Sequence, residues 1–183
     1  FTGQVYPAGT AEHVCAELTG RKENLILSGM PGSGKTTVGR LLARKTGRAF
    51  LDLDEEIARR LGKTPADLIA GDGEAAFRDI ETAVLREVLA GLSGSVLALG
   101  GGTVLREENV TMLRRNGRIC FLDRPVSDLL PTPDRPLSAT REALEKRYAE
   151  RIDRYLDTAD LRVAGFRTPE EAAEIIERSR KKG

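Results

Sequence analysis

The feature that most constrains this chain is the run Gly29-Met30-Pro31-Gly32-Ser33-Gly34-Lys35-Thr36. It matches G-x-x-x-x-G-K-[ST] and sits between the apolar stretch Leu25-Ile26-Leu27-Ser28 and a helical pattern from Thr36 to Thr46. Glycines let the backbone turn with its N–H groups inward, where they cradle phosphate oxygens. The following helix adds the positive end of its dipole. Lys35 brings a full charge to the β and γ phosphates, and the Thr36 hydroxyl is placed to ligate Mg²⁺. The nucleotide-binding set read from this loop is Gly29, Pro31, Gly32, Ser33, Gly34, Lys35, Thr36 and Thr37.

What surrounds the loop is an alternation of short apolar runs and helical patterns, which argues for a parallel α/β sheet. Further strands are expected at Ala49–Leu53, Val96–Leu99, Ile119–Leu122 and Leu161–Val163. Helices are expected at Glu55–Leu61, from Thr64-Pro65 to Ala70, from a cap at Asp72 to about Ala90, at Glu107–Asn116, at Thr140–Leu156 and from Thr168-Pro169 onward. Gly47 stands where a helix C-cap belongs. Residues 1–23 read as an extension or linker and 24–183 as one domain. The expected architecture is one doubly wound unit with ligands at the carboxyl ends of its strands.

Composition removes several classes of function. Lys plus Arg number 29 against 28 Asp plus Glu, a net charge of +1, which gives no support for a nucleic-acid or membrane-surface partner. The sequence shows neither an apolar run long enough to span a bilayer nor the pattern of a signal peptide. Two cysteines, Cys15 and Cys120, are too few for a disulfide scaffold, and a buried free thiol at Cys120 points to a reducing cytosol. His13 is the single histidine, so catalysis must use carboxylates, lysine, arginine, hydroxyls and backbone amides.

Three further groups of residues invite a functional reading. Asp52 and Asp54 close the second expected strand, and two residues apart on an extended chain they point to one side. One could hold a water of a Mg²⁺ shell and the other an acceptor hydroxyl; the alternative is a solvated turn with Asp54 as helix N-cap. Arg78 and Glu81 share a helix face, as an ordinary surface pair would. Gly100-Gly101-Gly102 follows an apolar strand, where close approach of a ligand to backbone competes with a simple flexible turn.

Taken together, these residues resemble shikimate kinase over about residues 24–180. The resemblance rests on the phosphate loop, Asp52-x-Asp54, Gly73-Glu74-x-x-Phe77-Arg78-x-x-Glu81, the glycine triplet, Arg135-Pro136-Leu137 and Arg151-x-x-x-Tyr155. It implies a P-loop fold of the nucleoside-monophosphate-kinase type: a five-stranded parallel sheet flanked by helices, with an acceptor-binding segment at about 54–81 and a mobile lid at about 126–139. It implies ATP-dependent phosphorylation of the 3-hydroxyl of shikimate in the cytoplasm, with Mg²⁺ as cofactor. The implied catalytic residues are Lys35, Asp54 and Arg135, the last reaching the ATP phosphates from the lid. Thr36 and Asp52 are the implied metal residues, Asp52 through water. Asp54, Arg78, Gly100, Gly101, Gly102 and Arg151 bind acceptor, and Glu81 braces its arginines.

The chain departs from the family pattern in a short, proline-rich lid whose sole arginine is Arg135, so the loop Ala164–Arg167 becomes a candidate to flank adenine. Phe1-Thr2-Gly3 resembles the closing residues of shikimate dehydrogenase and, with no Met at position 1, implies a kinase module of a dehydrogenase–kinase fusion. A kinase for another small hydroxy acid such as gluconate, or a non-catalytic nucleotide-binding module, shares the phosphate loop but has no need of the whole acceptor set.

Overall fold

Strand β1 (Asn24–Ser28) is buried along its whole length, as a central strand of a parallel sheet must be. The computed structural model describes residues 24–129 and 140–180. The elements after β1 are α1 (Lys35–Thr46), β2 (Phe50–Asp52), α2 (Leu53–Leu61), α3 (Pro65–Gly91), β3 (Val96–Ala98), α4 (Glu107–Asn116), β4 (Gly117–Leu122), α5 (Arg141–Thr158), β5 (Leu161–Val163) and α6 (Pro169–Arg180). All five strands run parallel in the order β2-β3-β1-β4-β5.

Alternation along the strands divides the core into two layers. Ile26, Leu97, Ile119 and Phe121 face α2, α3, α4 and α5, where they meet Leu53, Ile57, Leu85, Leu113 and Leu144. Leu25, Leu27, Val96, Cys120 and Leu122 face α1 and α6, where they meet Val38, Leu42, Ala172 and Ile176. Cys120 is buried, as its apolar setting predicts, and forms no disulfide among the described residues. No helix among the described residues is long and apolar enough to cross a membrane.

The strand order decides where a ligand can sit. From β1 the chain crosses to β2 on one side and later, through β4, to the other, so a crevice opens at the carboxyl ends of β1 and β3. Leu27 pairs with Ala98 there, which sets the phosphate loop beside the glycine triplet.

Three local expectations change. Asp54 lies in the first turn of α2 rather than at a strand end, because the Asp52 side chain caps that helix by accepting from the backbone N–H of Asp54 and Glu55. The two expected helices at 64–70 and 72–90 are joined as α3, interrupted at Gly73 (φ 87°, ψ 163°), a conformation essentially closed to other residues. Asp72 therefore precedes a break within α3 instead of opening a separate helix. The Thr64-Pro65 start holds, with a reciprocal capping box between Thr64 and Asp67. Short 3₁₀ turns at Thr103–Leu105 and Val126–Asp128 carry no clear sequence signal.

Candidate active site

The phosphate loop leads into α1 through Gly34 (φ 92°), which starts the helix with no side-chain cap and no acidic residue in its first turn. A helix start of that kind offers backbone donors and a positive dipole end to an anion. Lys35 is buried, and its Nζ donates to the carbonyls of Gly29 and Met30, each at 2.9 Å. The Ser33 Oγ is buried without a hydrogen-bond partner, a polar group that the cradle leaves for a ligand.

Beside the loop, the Thr36 hydroxyl donates to Asp52 Oδ2 at 2.7 Å. The other Asp52 oxygen, Oδ1, accepts from Asp54 N–H at 3.0 Å, so the helix cap holds the carboxylate against Thr36. Among the described residues no cluster of three or more His, Cys, Asp or Glu could hold a metal by itself. A hydroxyl and a carboxylate side by side suit Mg²⁺, which keeps several waters and takes phosphate oxygens for the remaining positions.

The acceptor side is built on the glycine triplet. A Cβ at Gly100 would lie 2.7 Å from Glu81 Oε1 and 2.8 Å from Asp54 Oδ1, and one at Gly101 would lie 2.9 Å from the Pro31 ring. A Cβ at Gly102 would overlap the Arg78 guanidinium. The glycines are thus explained by close approach, but the groups that approach are this protein's own side chains. Asp54, Glu81, Arg78 and Pro31 all press onto one stretch of backbone.

A buried network fixes Arg78. Glu81 has no exposed surface; its Oε2 accepts from Arg78 Nη1 at 2.8 Å, and its Oε1 accepts from the Thr103 hydroxyl at 2.7 Å. Asn109 Nδ2 donates to the Thr103 carbonyl at 2.9 Å, which ties the 3₁₀ turn to α4. Arg78 also lies over the Phe77 ring, 5.1 Å from its centroid.

Arg151 reaches the same place from α5. Its Nη1 donates to the Gly101 carbonyl at 3.1 Å, and the Tyr155 hydroxyl donates to that same oxygen. Tyr155 is stacked on Phe121 at 5.0 Å, and burial pushes its hydroxyl up to about 12, so it remains a donor at neutral pH. Arg78 and Arg151 carry two adjacent guanidinium groups, a geometry matched to a carboxylate.

Comparison with known proteins places the whole chain. The family model described as shikimate kinase matches residues 31–180. The chain belongs to the shikimate kinase family. It is 43% identical over 145 residues to the shikimate kinase of Chromobacterium violaceum, spanning 75% of this chain and 78% of that protein. It is 44% identical over 159 residues to that of Thermobifida fusca, spanning 82% and 91%. Among solved structures, the shikimate kinase from Acinetobacter baumannii in complex with shikimate superposes with a TM-score of 0.82 at 31% identity, covering 91% of this chain and 98% of that one.

Within this family frame, the structure brings Lys35, Thr36, Asp52, Asp54, Arg78, the Gly100–Gly102 triplet and Arg151 to one crevice. Arg135 with residues 130–139 of the expected lid, and residues 1–23, lie outside the described residues. The loop expected to flank adenine carries Phe166, and the Arg124 guanidinium lies over its ring at 5.8 Å. Two contributors escape sequence reading, and two more, Tyr155 and Glu74, are named by the motifs without a role. Thr103 and Asn109 have no local signal. Tyr155 is four residues after Arg151, but its shared acceptor Gly101 is distant in sequence. Glu74 stands four residues before Arg78, a spacing that signals an ion pair and nothing more.

Proposed function

We propose that this protein transfers the γ-phosphoryl group of ATP to the 3-hydroxyl of shikimate, giving shikimate 3-phosphate and ADP. The observation that carries this reading is the convergence of Asp54, Arg78 and Arg151 on the glycine triplet beside the phosphate loop. A protein that merely holds nucleotide has no use for those three side chains. The curated relatives above are shikimate kinases, and the Acinetobacter protein was solved with shikimate.

In this reading Arg78 and Arg151 clamp the acceptor carboxylate and so orient the ring. Asp54 accepts the hydrogen bond of the attacking hydroxyl and takes its proton. A bond forms between that hydroxyl oxygen and the γ phosphorus while the bond to the β–γ bridging oxygen breaks, and ADP leaves. Lys35 moves from the Gly29 and Met30 carbonyls to the β and γ phosphates, where its charge stabilises the developing negative charge. Thr36 and, through water, Asp52 would hold Mg²⁺, which neutralises charge on the β and γ phosphates when bound. Family resemblance assigns Arg135 to the ATP phosphates.

The deciding experiment is an ADP-release assay over a panel of small hydroxy acids with ATP·Mg²⁺. Shikimate should be the preferred acceptor by a wide margin. Preference for gluconate would reassign the acceptor, and nucleotide binding with no transfer to any acceptor would make the chain a binding module.

A further inference from the structure

Glu74 stands one residue after the break at Gly73 and opens the second part of α3. Its Oε1 accepts from Arg78 Nη2 at 3.0 Å and lies 3.8 Å from Arg151 Nη2. One carboxylate oxygen therefore meets both guanidinium groups assigned above to the acceptor carboxylate. The charge of Arg147 adds to theirs. Burial alone would push the Glu74 carboxyl up, but the Arg78 hydrogen bond and the charges of Arg78, Arg147 and Arg151 outweigh it and hold the group below its ordinary range.

Glu74 and Glu81 serve Arg78 differently. Glu81 is wholly buried, has Thr103 as a second partner and takes Nη1. Glu74 is 40% exposed, takes Nη2, and stands next to the helix break at Gly73. Arg151 has its Nη1 committed to the Gly101 carbonyl, and its Nη2 is the nitrogen that faces Glu74. Glu81 has the character of a fixed brace; Glu74 has the character of an exchangeable partner.

We infer that Glu74 is an internal stand-in for the acceptor carboxylate, paired with Arg78 and Arg151 in the free enzyme and displaced when acceptor binds. The inference rests on the proposed assignment of those two arginines to the acceptor carboxylate. Two largely buried guanidinium groups carry more positive charge than the single Glu81 carboxylate balances, and Glu74 offsets that cost while the site is free. An incoming carboxylate must then compete with it, because two carboxylates on one pair of guanidinium groups repel each other. An acceptor without a carboxylate has no such competitor. Glu74 thereby tunes acceptor affinity without touching the phosphoryl donor.

The test compares wild type, Glu74→Gln and Arg78→Lys in the full chain, with shikimate and its decarboxylated analogue as acceptors. Glu74→Gln should lower the shikimate KM about three- to five-fold, the size of a modest ion pair removed from the free state. The change should appear in KM rather than kcat, with the ATP KM and the KM of the analogue unmoved. Calorimetric binding of shikimate without nucleotide should tighten in parallel. A rise in shikimate KM would make Glu74 a positioning brace for Arg78 and overturn the inference. An equal shift for both acceptors would overturn it as well. If Glu74→Gln changes neither acceptor while Arg78→Lys selectively weakens shikimate, the stand-in fails and the carboxylate assignment stands. If Arg78→Lys weakens both acceptors equally, the carboxylate assignment itself fails, and the stand-in with it.

Discussion

Arg78 Nη1 lies 2.8 Å from Glu81 Oε2, and the Glu81 carboxylate is completely buried. Three residues apart on one helix, the two form a pair that sequence alone would place on the surface. The structure places it under the glycine triplet, where it presents a guanidinium to the crevice. A buried ion pair of this kind contributes little to net stability, but breaking it leaves the largely buried Arg78 with only a partly exposed carboxylate, Glu74, of its two partners.

Glu81→Ala should therefore lose about 3 kcal/mol or more of folding stability and raise the acceptor KM. Urea unfolding read alongside acceptor kinetics checks both. A loss of less than about 1 kcal/mol with an unchanged KM would show that Arg78 finds its place without Glu81.

Gly102→Ala puts a methyl group where the Arg78 guanidinium lies. The side chain has to move, and the three atoms nearest that methyl group all belong to Arg78 rather than to the phosphate loop. The acceptor KM should rise on the order of ten-fold, equivalent to one lost charge-assisted contact, and the ATP KM should stay near wild type. Equal changes in both would point to a disturbed sheet end instead.

Lys35→Ala should abolish transfer with the fold intact. In the free enzyme the Lys35 ammonium donates to the carbonyls of Gly29 and Met30 in its own loop, and its side chain belongs to neither apolar core layer. Circular dichroism and thermal unfolding close to wild type, with turnover reduced by at least ~10²-fold, are the expected results. Near-normal turnover would remove Lys35 from the chemistry.

Asp54→Asn keeps the size of the side chain beside Gly100 but removes its capacity to take a proton. Turnover should fall by on the order of 10²-fold or more, with nucleotide binding largely kept. A variant that lost nucleotide affinity and kept acceptor affinity would exchange the roles of Asp52 and Asp54.

The local features were legible because their signals are local. The phosphate loop, the Gly47 cap, the Thr64-Pro65 start and the runs of β1, β4 and β5 each need a few neighbouring residues to recognise them. The turn at Asp52 is not legible for the same reason. An extended and a helical Asp54 fit the sequence equally, and the choice fell to the Asp52 side chain, which caps α2 and holds Thr36 at once. The family motifs named Arg78, Arg151 and the triplet without saying why they go together.

That reason belongs to the tertiary structure. Arg151 meets the Gly101 carbonyl from 50 residues away, and Asp54, Glu81 and Arg78 reach the triplet from two other helices. Their meeting depends on β3 lying beside β1 and on α5 crossing the end of β4, and strand order leaves no mark in any short window of sequence. The sequence determined by itself which segments become strands and helices, and that one loop binds phosphate, because backbone preference and hydrophobic period act over a few residues. Only the tertiary structure decided that the glycines make room for this protein's own side chains, and that Glu74 faces the two arginines an acceptor would claim. Both facts follow from side chains packing across the sheet end, where distance in space is unrelated to distance along the chain.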